Sequence, residues 1–329
     1  MKRLIVALAC LALVAGGCAD DASDNAAEQR KVTLMLDWTP NTNHSGIYVA
    51  KHKGYYDKAN LDVEILQPGE QGALAALGSG SVDFAVSVQE SLIPAQAQGV
   101  PVVSIAAILS TNTSSLVSLA SDNITRPKDL EGKTYGGYGG ELEQHLVKSL
   151  IQCDGGDPSK VKFIDVGNVD YRTGLEQNNY DFVWVFDGWD VLRLRQQSVA
   201  VNTISFAANF GCIPDWYTPL LATTEKKISD DKDLVSAFTD ATAQGYRDAI
   251  ADPSAASDAL LAGAPELDPT LVKESSKYLA KYYAKPGQPW GVQDKAVWTR
   301  FEEFLRTAKL TEKPVDVDKA FTNQFIPQS

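Results

Sequence analysis

Short strand-like and helix-like segments alternate along most of this chain, and this alternation restricts its fold more than any other feature. A helix between two strands lets those strands lie parallel in one sheet. The sequence therefore predicts an α/β fold. In the first block we expect strands at residues 32–36, 61–66, 82–86 and 100–109, and helices at residues 44–52, 73–77 and 91–98.

A second block repeats the alternation, and a helical region follows it. Strands are expected at residues 115–120, 133–136, 161–165, 182–186, 201–204 and 220–223, and helices at residues 141–153, 231–251, 255–262, 269–283 and 295–308. The two blocks could be separate domains in series, or two lobes between which the chain crosses near Ala120 and returns near Tyr217. Short linkers favour two lobes, with a ligand cleft between them at the carboxyl ends of strands.

The two-lobe arrangement assigns residues 31–120 and 219–329 to lobe 1, and residues 121–218 to lobe 2. The first residues stand outside both lobes. Lys2 and Arg3 precede an apolar run, and small residues follow it up to Cys18. This pattern is typical of an export signal over residues 1–17 and is too short to span a membrane.

The Gly17-Cys18 junction resembles a bacterial lipobox, although Ala15 stands where such a motif usually has Leu or Val. We expect Cys18 to be the lipidated mature N-terminus; an ordinary cleaved secretory signal is the alternative. Residues 18–30 have few apolar side chains and are expected to form a flexible tether. This interpretation predicts an extracytoplasmic protein anchored to the cell membrane by its lipid.

Composition and charge exclude several function classes. The chain is 44% hydrophobic and only 22% charged, which favours a folded protein over a disordered one. Its formal net charge of -12 argues against nucleic-acid binding, which requires a basic surface. The three histidines are not spaced as a metal site, and the sequence contains no recognisable nucleophile motif. We therefore expect no metal and no catalytic residue.

Two cysteines remain in the predicted mature domain besides Cys18. Cys153 and Cys212 could form a disulfide outside the cytoplasm, or they could be two buried thiols. The residues themselves do not decide between these two states.

A resemblance to a known family begins at residues 36–50, LDWTPNTNHSGIYVA. This segment closely resembles the opening of the thiamine-pyrimidine family, which contains formylaminopyrimidine-binding proteins of ABC importers and fungal thiamine pyrimidine synthases. Later segments that fit the family are residues 53–56, 61–64, 87–90, 188–190 and 215–219. The resemblance implies a periplasmic-binding-protein-like fold of type II, with two α/β lobes, a hinge and an interlobe cleft.

The same resemblance implies a function. The expected protein is a monomeric substrate-binding lipoprotein that captures a small heteroaromatic thiamine precursor and delivers it to an ABC permease with its ATPase. Binding proteins for riboflavin or an aliphatic sulfonate are the alternatives within the same class. A synthase is the alternative from another class. It would require pyridoxal phosphate, iron and a cysteine-rich motif, and this chain has no such motif; we therefore expect no cofactor.

Candidate ligand-binding residues of lobe 1 follow its strands. Asp37 and Trp38 offer a carboxylate and an aromatic face, which suit a flat aminopyrimidine. Asn41 could contact the ligand or cap a helix. His44 could donate to the ligand or pack beneath the cleft, and the resemblance aligns it with a histidine that the fungal synthases consume as a substrate. Ser87 and Gln89 follow a strand and could line the site or begin a helix.

Candidate residues of lobe 2 are aromatic and acidic. Tyr138 lies in a glycine-rich run before a predicted helix, where the backbone can approach a ligand closely. Asp190 stands where the family has a glutamate that touches the ligand, and its side chain is one methylene shorter. Asp187 could compensate for that difference. Further candidates for the cleft wall are Trp189, Trp216 and Tyr217, for which core packing is the alternative.

Overall fold

The computed structural model describes residues 28–167 and 170–327. The predicted signal segment, the lipidation residue Cys18 and residues 18–27 of the predicted tether lie outside the described residues. Arg30, expected in the tether, instead begins the first strand. Its backbone pairs with Leu61, and its guanidinium forms an ion pair with Asp231, so the folded domain begins slightly earlier than expected.

Ten strands form two five-stranded sheets within the described residues. The strands are β1 Arg30–Met35, β2 Leu61–Leu66, β3 Phe84–Ser87, β4 Val102–Ala107, β5 Ser114–Leu119, β6 Thr134–Gly137, β7 Lys162–Asp165, β8 Phe182–Phe186, β9 Val201–Ser205 and β10 Leu220–Thr224. The first sheet has the order β2-β1-β3-β10-β4, and the second has the order β7-β6-β8-β5-β9. The predicted α/β fold with two lobes is confirmed.

Each sheet contains one antiparallel strand, which the alternation of strands and helices did not predict. In the first sheet β10 lies antiparallel to β3 and β4, and in the second β5 lies antiparallel to β8 and β9. Both are the strands by which the chain enters a sheet from the other one. No helical crossover within the same sheet connects such a strand to the strand before it in the chain. The strand therefore need not be parallel to its neighbours.

The sheets also move one predicted boundary. Strand β5 belongs to the second sheet, whereas the sequence assigned residues up to 120 to lobe 1. The outward crossing therefore lies between Ala107 and Ser114. The return crossing lies between Ser205 and Leu220.

Thirteen α-helices occur in the described part of the chain. They are α1 Ser45–His52, α2 Tyr55–Lys58, α3 Ala73–Gly78, α4 Gln89–Ala97, α5 Glu141–Cys153, α6 Tyr171–Glu176, α7 Leu192–Gln196, α8 Glu225–Asp230, α9 Lys232–Ala251, α10 Pro253–Gly263, α11 Pro269–Leu279, α12 Lys295–Thr307 and α13 Val317–Ala320. Short 3₁₀ helices cover Thr42–His44, Ala120–Asp122, Pro127–Leu130, Pro158–Lys160 and Ala207–Asn209, and a π-helix covers Asp187–Val191. None of the described helices has the length and apolar character needed to cross a membrane.

The predicted elements are all present, and their ends lie within about two residues of the prediction except in α11. This helix was expected to reach residue 283 but ends at Leu279. The Tyr282 carbonyl accepts hydrogen bonds from the backbone and the hydroxyl of Ser110. This carbonyl therefore forms hydrogen bonds with the first interlobe crossing instead of with a further turn of the helix. The helices missed from the sequence, such as α6 and α7, are too short to show a helical period.

Close helix packing positions the segment that precedes α1. Gly245 of α9 faces the backbone of α1, where a Cβ on Gly245 would lie 2.0 Å from the Gly46 carbonyl oxygen. Beside this contact, the Tyr246 hydroxyl donates to the Asn43 carbonyl at 2.7 Å. The two helices thus hold the turn after β1 against the first sheet.

The structure joins Cys153 and Cys212 in a disulfide, with their Cα atoms 5.6 Å apart. The bond links the end of α5 to the segment after the 3₁₀ helix Ala207–Asn209. Of the two states that the sequence left open, this structure has the bonded one.

Candidate ligand-binding site

A cavity of about 520 Å³ lies between the two sheets. Its walls come from segments that directly follow β1, β6 and β8, at the carboxyl ends of these parallel strands. The first sheet and the return crossing contribute Asp37, Trp38, Thr39, Pro40, Asn41, Asn43, Glu90, Thr218 and Pro219, and the helical region adds Leu267. The second sheet and its helices contribute Tyr138, Glu143, Asp170, Tyr171, Arg172, Trp184, Phe186, Trp189, Asp190, Arg193, Leu194 and Gln197.

Two aromatic side chains in this wall are unusually accessible. Trp38 is 49% exposed and Tyr138 is 48% exposed. They come from different sheets and line the same cavity. The Tyr138 hydroxyl lies 3.3 Å from that of Tyr171, which also lines the cavity. The exposed faces can therefore be covered by a flat ligand placed between the lobes.

Asp37 is oriented by a histidine behind it. His44 Nδ1 accepts the Asn41 backbone N–H at 3.2 Å, so its proton is on Nε2, which donates to Asp37 Oδ1 at 2.8 Å. His44 has no exposed surface and does not line the cavity, which corrects its expected ligand contact. It lies there because the 3₁₀ helix Thr42–His44 turns its ring toward Asp37.

Asn41 combines the two roles that the sequence left open. Its side-chain oxygen accepts the backbone N–H of Asn43 at 2.9 Å, which caps the 3₁₀ helix. Its amide nitrogen donates to the Thr39 carbonyl at 3.0 Å. The residue also lines the cavity. Capping and a place in the wall are therefore compatible at this position.

The two aspartates of the π-helix have different positions. Asp190 lines the cavity and accepts the Phe186 backbone N–H at 3.0 Å. Burial raises the pKa of Asp190 to about 6, and the nearby Asp187 adds to the rise while Arg193 opposes it. Asp187 is outside the cavity wall, contrary to expectation, and burial raises its pKa to about 6 as well. Trp189, between them, lines the cavity as expected.

Four other candidates are buried in the fold and do not line the cavity: Ser87, Gln89, Trp216 and Tyr217. Ser87 is buried at the end of β3, opposite Leu220. Gln89 binds the backbone of Tyr217 twice: its own N–H donates to the carbonyl at 2.9 Å, and its side-chain oxygen accepts the N–H at 2.8 Å. Trp216 has no exposed surface.

The two aromatics of the return crossing are held by α12 and the turn before it. Trp216 stacks on Phe301 with ring centroids 5.1 Å apart. The Tyr217 hydroxyl accepts the Asp294 backbone N–H at 2.7 Å. Both rings therefore belong to the core beneath the cleft, and their predicted place in the wall is wrong.

The sequence missed the acidic residues Glu90 and Glu143. Burial raises the pKa of Glu90 to about 7, and the negative charge of Asp37 adds to the rise. Hydrogen bonds from the Trp216 and Thr218 side chains lower this pKa in part. Burial also raises the pKa of Glu143, whose carboxylate accepts the Tyr138 backbone N–H at 3.0 Å. Glu90 directly follows the candidate Gln89, and the predicted helix start could have drawn attention to it.

The charges in the wall favour a ligand rich in hydrogen-bond donors. Carboxyl groups reach the cavity from Asp37, Glu90, Glu143, Asp170 and Asp190. The arginines there have acidic neighbours: Arg193 lies 3.5 Å from Asp170, and Arg172 lies 3.0 Å from Glu176. An anionic ligand would therefore meet an excess of like charge.

Comparison of this chain with known proteins gives one family and one fold. A model of the family described as NMT1/THI5 like matches residues 41–256. The formylaminopyrimidine-binding protein of Halalkalibacterium halodurans is 27% identical over 98% of both chains. The riboflavin-binding protein RibY of Chloroflexus aurantiacus is 30% identical over 91% of this chain and 86% of its own.

A solved structure has the same architecture. The alkanesulfonate-binding protein SsuA from Xanthomonas axonopodis pv. citri, bound to MOPS, superposes with a TM-score of 0.68 at 15% identity, over 90% of this chain and 99% of the other. This likeness shows the type II periplasmic-binding-protein fold, with its hinge and interlobe cleft. The family match over most of the chain leads to one identification: the chain belongs to the NMT1/THI5-like family.

Proposed function

We propose that this protein is the substrate-binding component of an ABC importer and captures a formylaminopyrimidine-like thiamine precursor between its lobes. The observation that carries the proposal is the pair of accessible aromatic side chains, Trp38 and Tyr138, in one cavity. A flat, π-electron-poor ring would cover both faces. Each such aromatic pair contributes about 0.5–1.5 kcal/mol beyond simple burial.

The carboxyl groups at the edge of the cavity support the same ligand class. Asp37 and Asp190 approach from different lobes, and each has carboxylate oxygen available to accept N–H groups. An aminopyrimidine presents such donors at its edge, and a protonated ring would also pair with the negative charge. The excess of acids over free bases disfavours an aliphatic sulfonate.

The position of His44 supports binding without catalysis. The resemblance aligns this residue with the histidine that fungal synthases consume. Here both ring nitrogens are engaged, one by Asn41 and one by Asp37, and the ring is fully buried. Its reaction with a ligand in the cavity would require both hydrogen bonds to break.

Riboflavin is the second candidate ligand, because the RibY relative is 30% identical to this chain. Isothermal titration calorimetry with formylaminopyrimidine, riboflavin and an alkanesulfonate separates the possibilities. We expect one site per chain for formylaminopyrimidine and much weaker binding of the other two. Binding of riboflavin without the pyrimidine would transfer the proposal to riboflavin. Conversion of His44 in the presence of iron and pyridoxal phosphate would favour the synthase.

We also propose that the mature protein is lipidated at Cys18 and works outside the cytoplasm beside its permease. The support is the sequence of residues 1–18, together with the periplasmic-binding-protein fold of the described domain. Cys18→Ser should move the protein from the membrane fraction to the soluble fraction or block its processing. Cys10→Ser, within the predicted signal, is the matched control. Unchanged fractionation and mass of the Cys18 variant would reject lipidation.

A further inference from the structure

The cavity between the lobes combines many aromatic side chains with an excess of negative charge. Five carboxyl groups reach it against two arginines, and no lysine or histidine of the described residues lines it. Both arginines already lie beside acids, Arg193 beside Asp170 and Arg172 beside Glu176, so little positive charge remains for the other carboxyl groups. The aromatic side chains in the wall are Trp38, Tyr138, Tyr171, Trp184, Phe186 and Trp189.

Three of these carboxyl groups have a second acid close by. Burial is the main reason that the pKa values of Glu90, Asp190 and Glu143 are raised. In each case the negative charge of another acid adds to the rise, from Asp37, Asp187 and Asp165 in that order. Like charges held together in a partly buried wall disfavour ionisation, and a positive charge among them favours it. A cation in the cavity would supply that charge.

The aromatic faces of the cavity have the same electrostatic preference. The face of an aromatic ring is the negative part of its quadrupole and attracts a cation. Within the described residues, the protein's own contacts of this kind place Lys58 over Tyr55 and Lys148 over Phe163, all outside the cavity wall. The half-exposed faces of Trp38 and Tyr138 are therefore available to a cation that the ligand brings.

These features separate three kinds of ligand. An anion would meet an excess of like charge. A neutral ring can donate N–H groups to the carboxyl groups at its edge, but it leaves their charge uncompensated. A positively charged aromatic ring can stack on Trp38 and also compensate the charges of Asp37 and Asp190, which approach from different lobes.

We propose that the cavity is a site for an aromatic cation, in which a ring with a fixed positive charge binds more tightly than a neutral ring of the same shape. This inference rests on the proposed function, because it names the charge class of the ligand in that same cavity. The chemical class is a heteroaromatic ring whose nitrogen is quaternary, such as an N-alkylated pyridinium. Such a nitrogen has no N–H to donate, so its selection comes from charge.

The test compares two compounds that differ in one ring atom. Both carry an aminopyrimidine joined through one CH₂ group to a second ring, which is a pyridinium in one compound and a phenyl in the other. The exchange of a ring carbon for a charged nitrogen keeps the shape. Calorimetry is carried out at pH 8, where Glu90 and Asp190 are ionised. We expect the wild-type protein to bind the pyridinium compound about tenfold more tightly or better.

Asp190→Asn removes one negative charge and keeps an oxygen that can accept the Phe186 backbone N–H. It should weaken binding of the pyridinium compound by about five- to tenfold and change binding of the phenyl compound by less than about twofold. Asp258→Asn is the matched control, since Asp258 is exposed on α10 and is outside the cavity wall. It should change neither affinity.

Equal or tighter wild-type binding of the phenyl compound overturns the inference, and so does an Asp190→Asn variant that weakens both compounds equally. Formylaminopyrimidine is titrated in the same series, and if it binds, the proposed function stands in both cases. If the pyridinium compound binds as expected and formylaminopyrimidine does not, the ligand is an aromatic cation and the proposed precursor is wrong. If none of the three compounds binds, the inference and the proposed function both fail. The wild-type comparison remains decisive even if Asp190→Asn does not fold.

Discussion

Glu90 is the buried acid whose ionisation most directly links the site to the stability of the protein. Its pKa is raised from an ordinary value of 4.5 to about 7 in the folded protein. Below pH 4.5 the carboxyl is protonated in both the folded and the unfolded chain. Between pH 4.5 and about 7 only the unfolded chain releases the proton. The unfolding free energy therefore falls as the pH rises through this window and levels off above it.

Glu90→Gln should remove this part of the pH dependence. Relative to the wild-type protein, the unfolding free energy of the variant should rise between pH 4.5 and pH 8 by about 1–3 kcal/mol, because each unit of pKa shift corresponds to about 1.4 kcal/mol. Urea unfolding without ligand at several pH values measures the difference. Glu225→Gln, which changes an exposed residue, is the control. A constant difference between Glu90→Gln and wild type at every pH would contradict the expectation.

At the scale of single elements, α11 connects the parts of the site that come from different sheets. The Ser275 hydroxyl contacts that of Thr42, beside the Asp37 turn, and donates to the Gly188 carbonyl of the π-helix. Asp268, which caps α11 at the Leu271 N–H, also accepts a hydrogen bond from Gln196 at 3.1 Å. Helix α11 thus fixes the π-helix relative to the first sheet. The π-helix carries Trp189 and Asp190.

Ser275→Ala should disturb this connection without changing a residue of the cavity wall. The variant leaves the Gly188 carbonyl and the Thr42 hydroxyl without their buried partner, so we expect the unfolding free energy to fall by about 1–3 kcal/mol. We also expect ligand affinity to fall by about two- to tenfold, because the π-helix loses its support. Chemical unfolding and calorimetry measure the two effects.

Ser276→Ala is the control for this experiment. Ser276 is equally buried on the same helix, and its hydroxyl has no hydrogen-bond partner within the described residues. The same substitution there removes a hydroxyl but no connection between the sheets. Equal effects of the two substitutions on affinity would show that α11 does not support the site in the way described.

For the molecule as a whole, the important feature is that one cavity has walls from two lobes. A ligand favours closure only through interactions that are stronger in the closed state than in the open state. Trp38 comes from the first sheet and Asp190 from the segment after the second, and both line the cavity. A ligand held by both would therefore link the two lobes.

Trp38→Ala and Asp190→Asn should consequently show coupled effects on binding of formylaminopyrimidine. Loss of the Trp38 face should cost about 1–3 kcal/mol of binding free energy, or one to two decades in affinity. The double variant should lose less than the sum of the two single losses, since both groups act on one bound pose. Calorimetry on the four proteins gives the coupling energy.

Asp240→Asn, an exposed aspartate on α9, is the charge control and should bind like wild type. Wild-type affinity of both single variants, with the fold intact, would place the ligand elsewhere. Tighter binding by Asp190→Asn would indicate an anionic ligand.

The sequence by itself determined the elements and part of the site. Hydrophobic periodicity depends on neighbouring residues, so strands and long helices such as α9 and α12 could be predicted from local patterns. Residues directly after parallel strands meet at one edge of a sheet. For this reason Asp37, Trp38 and Tyr138, each just after a strand, line the same cavity.

Only the tertiary structure decided which of the other polar and aromatic side chains face the ligand. Trp216 is covered because Phe301, from a helix far along the chain, stacks on it, and no pattern around Trp216 contains that information. His44 is hidden and Glu90 reaches the cavity for the same reason: the exposure of each side chain depends on the elements packed beside it. The antiparallel strands β5 and β10 likewise follow from crossings between lobes, which are long-range features of the whole chain.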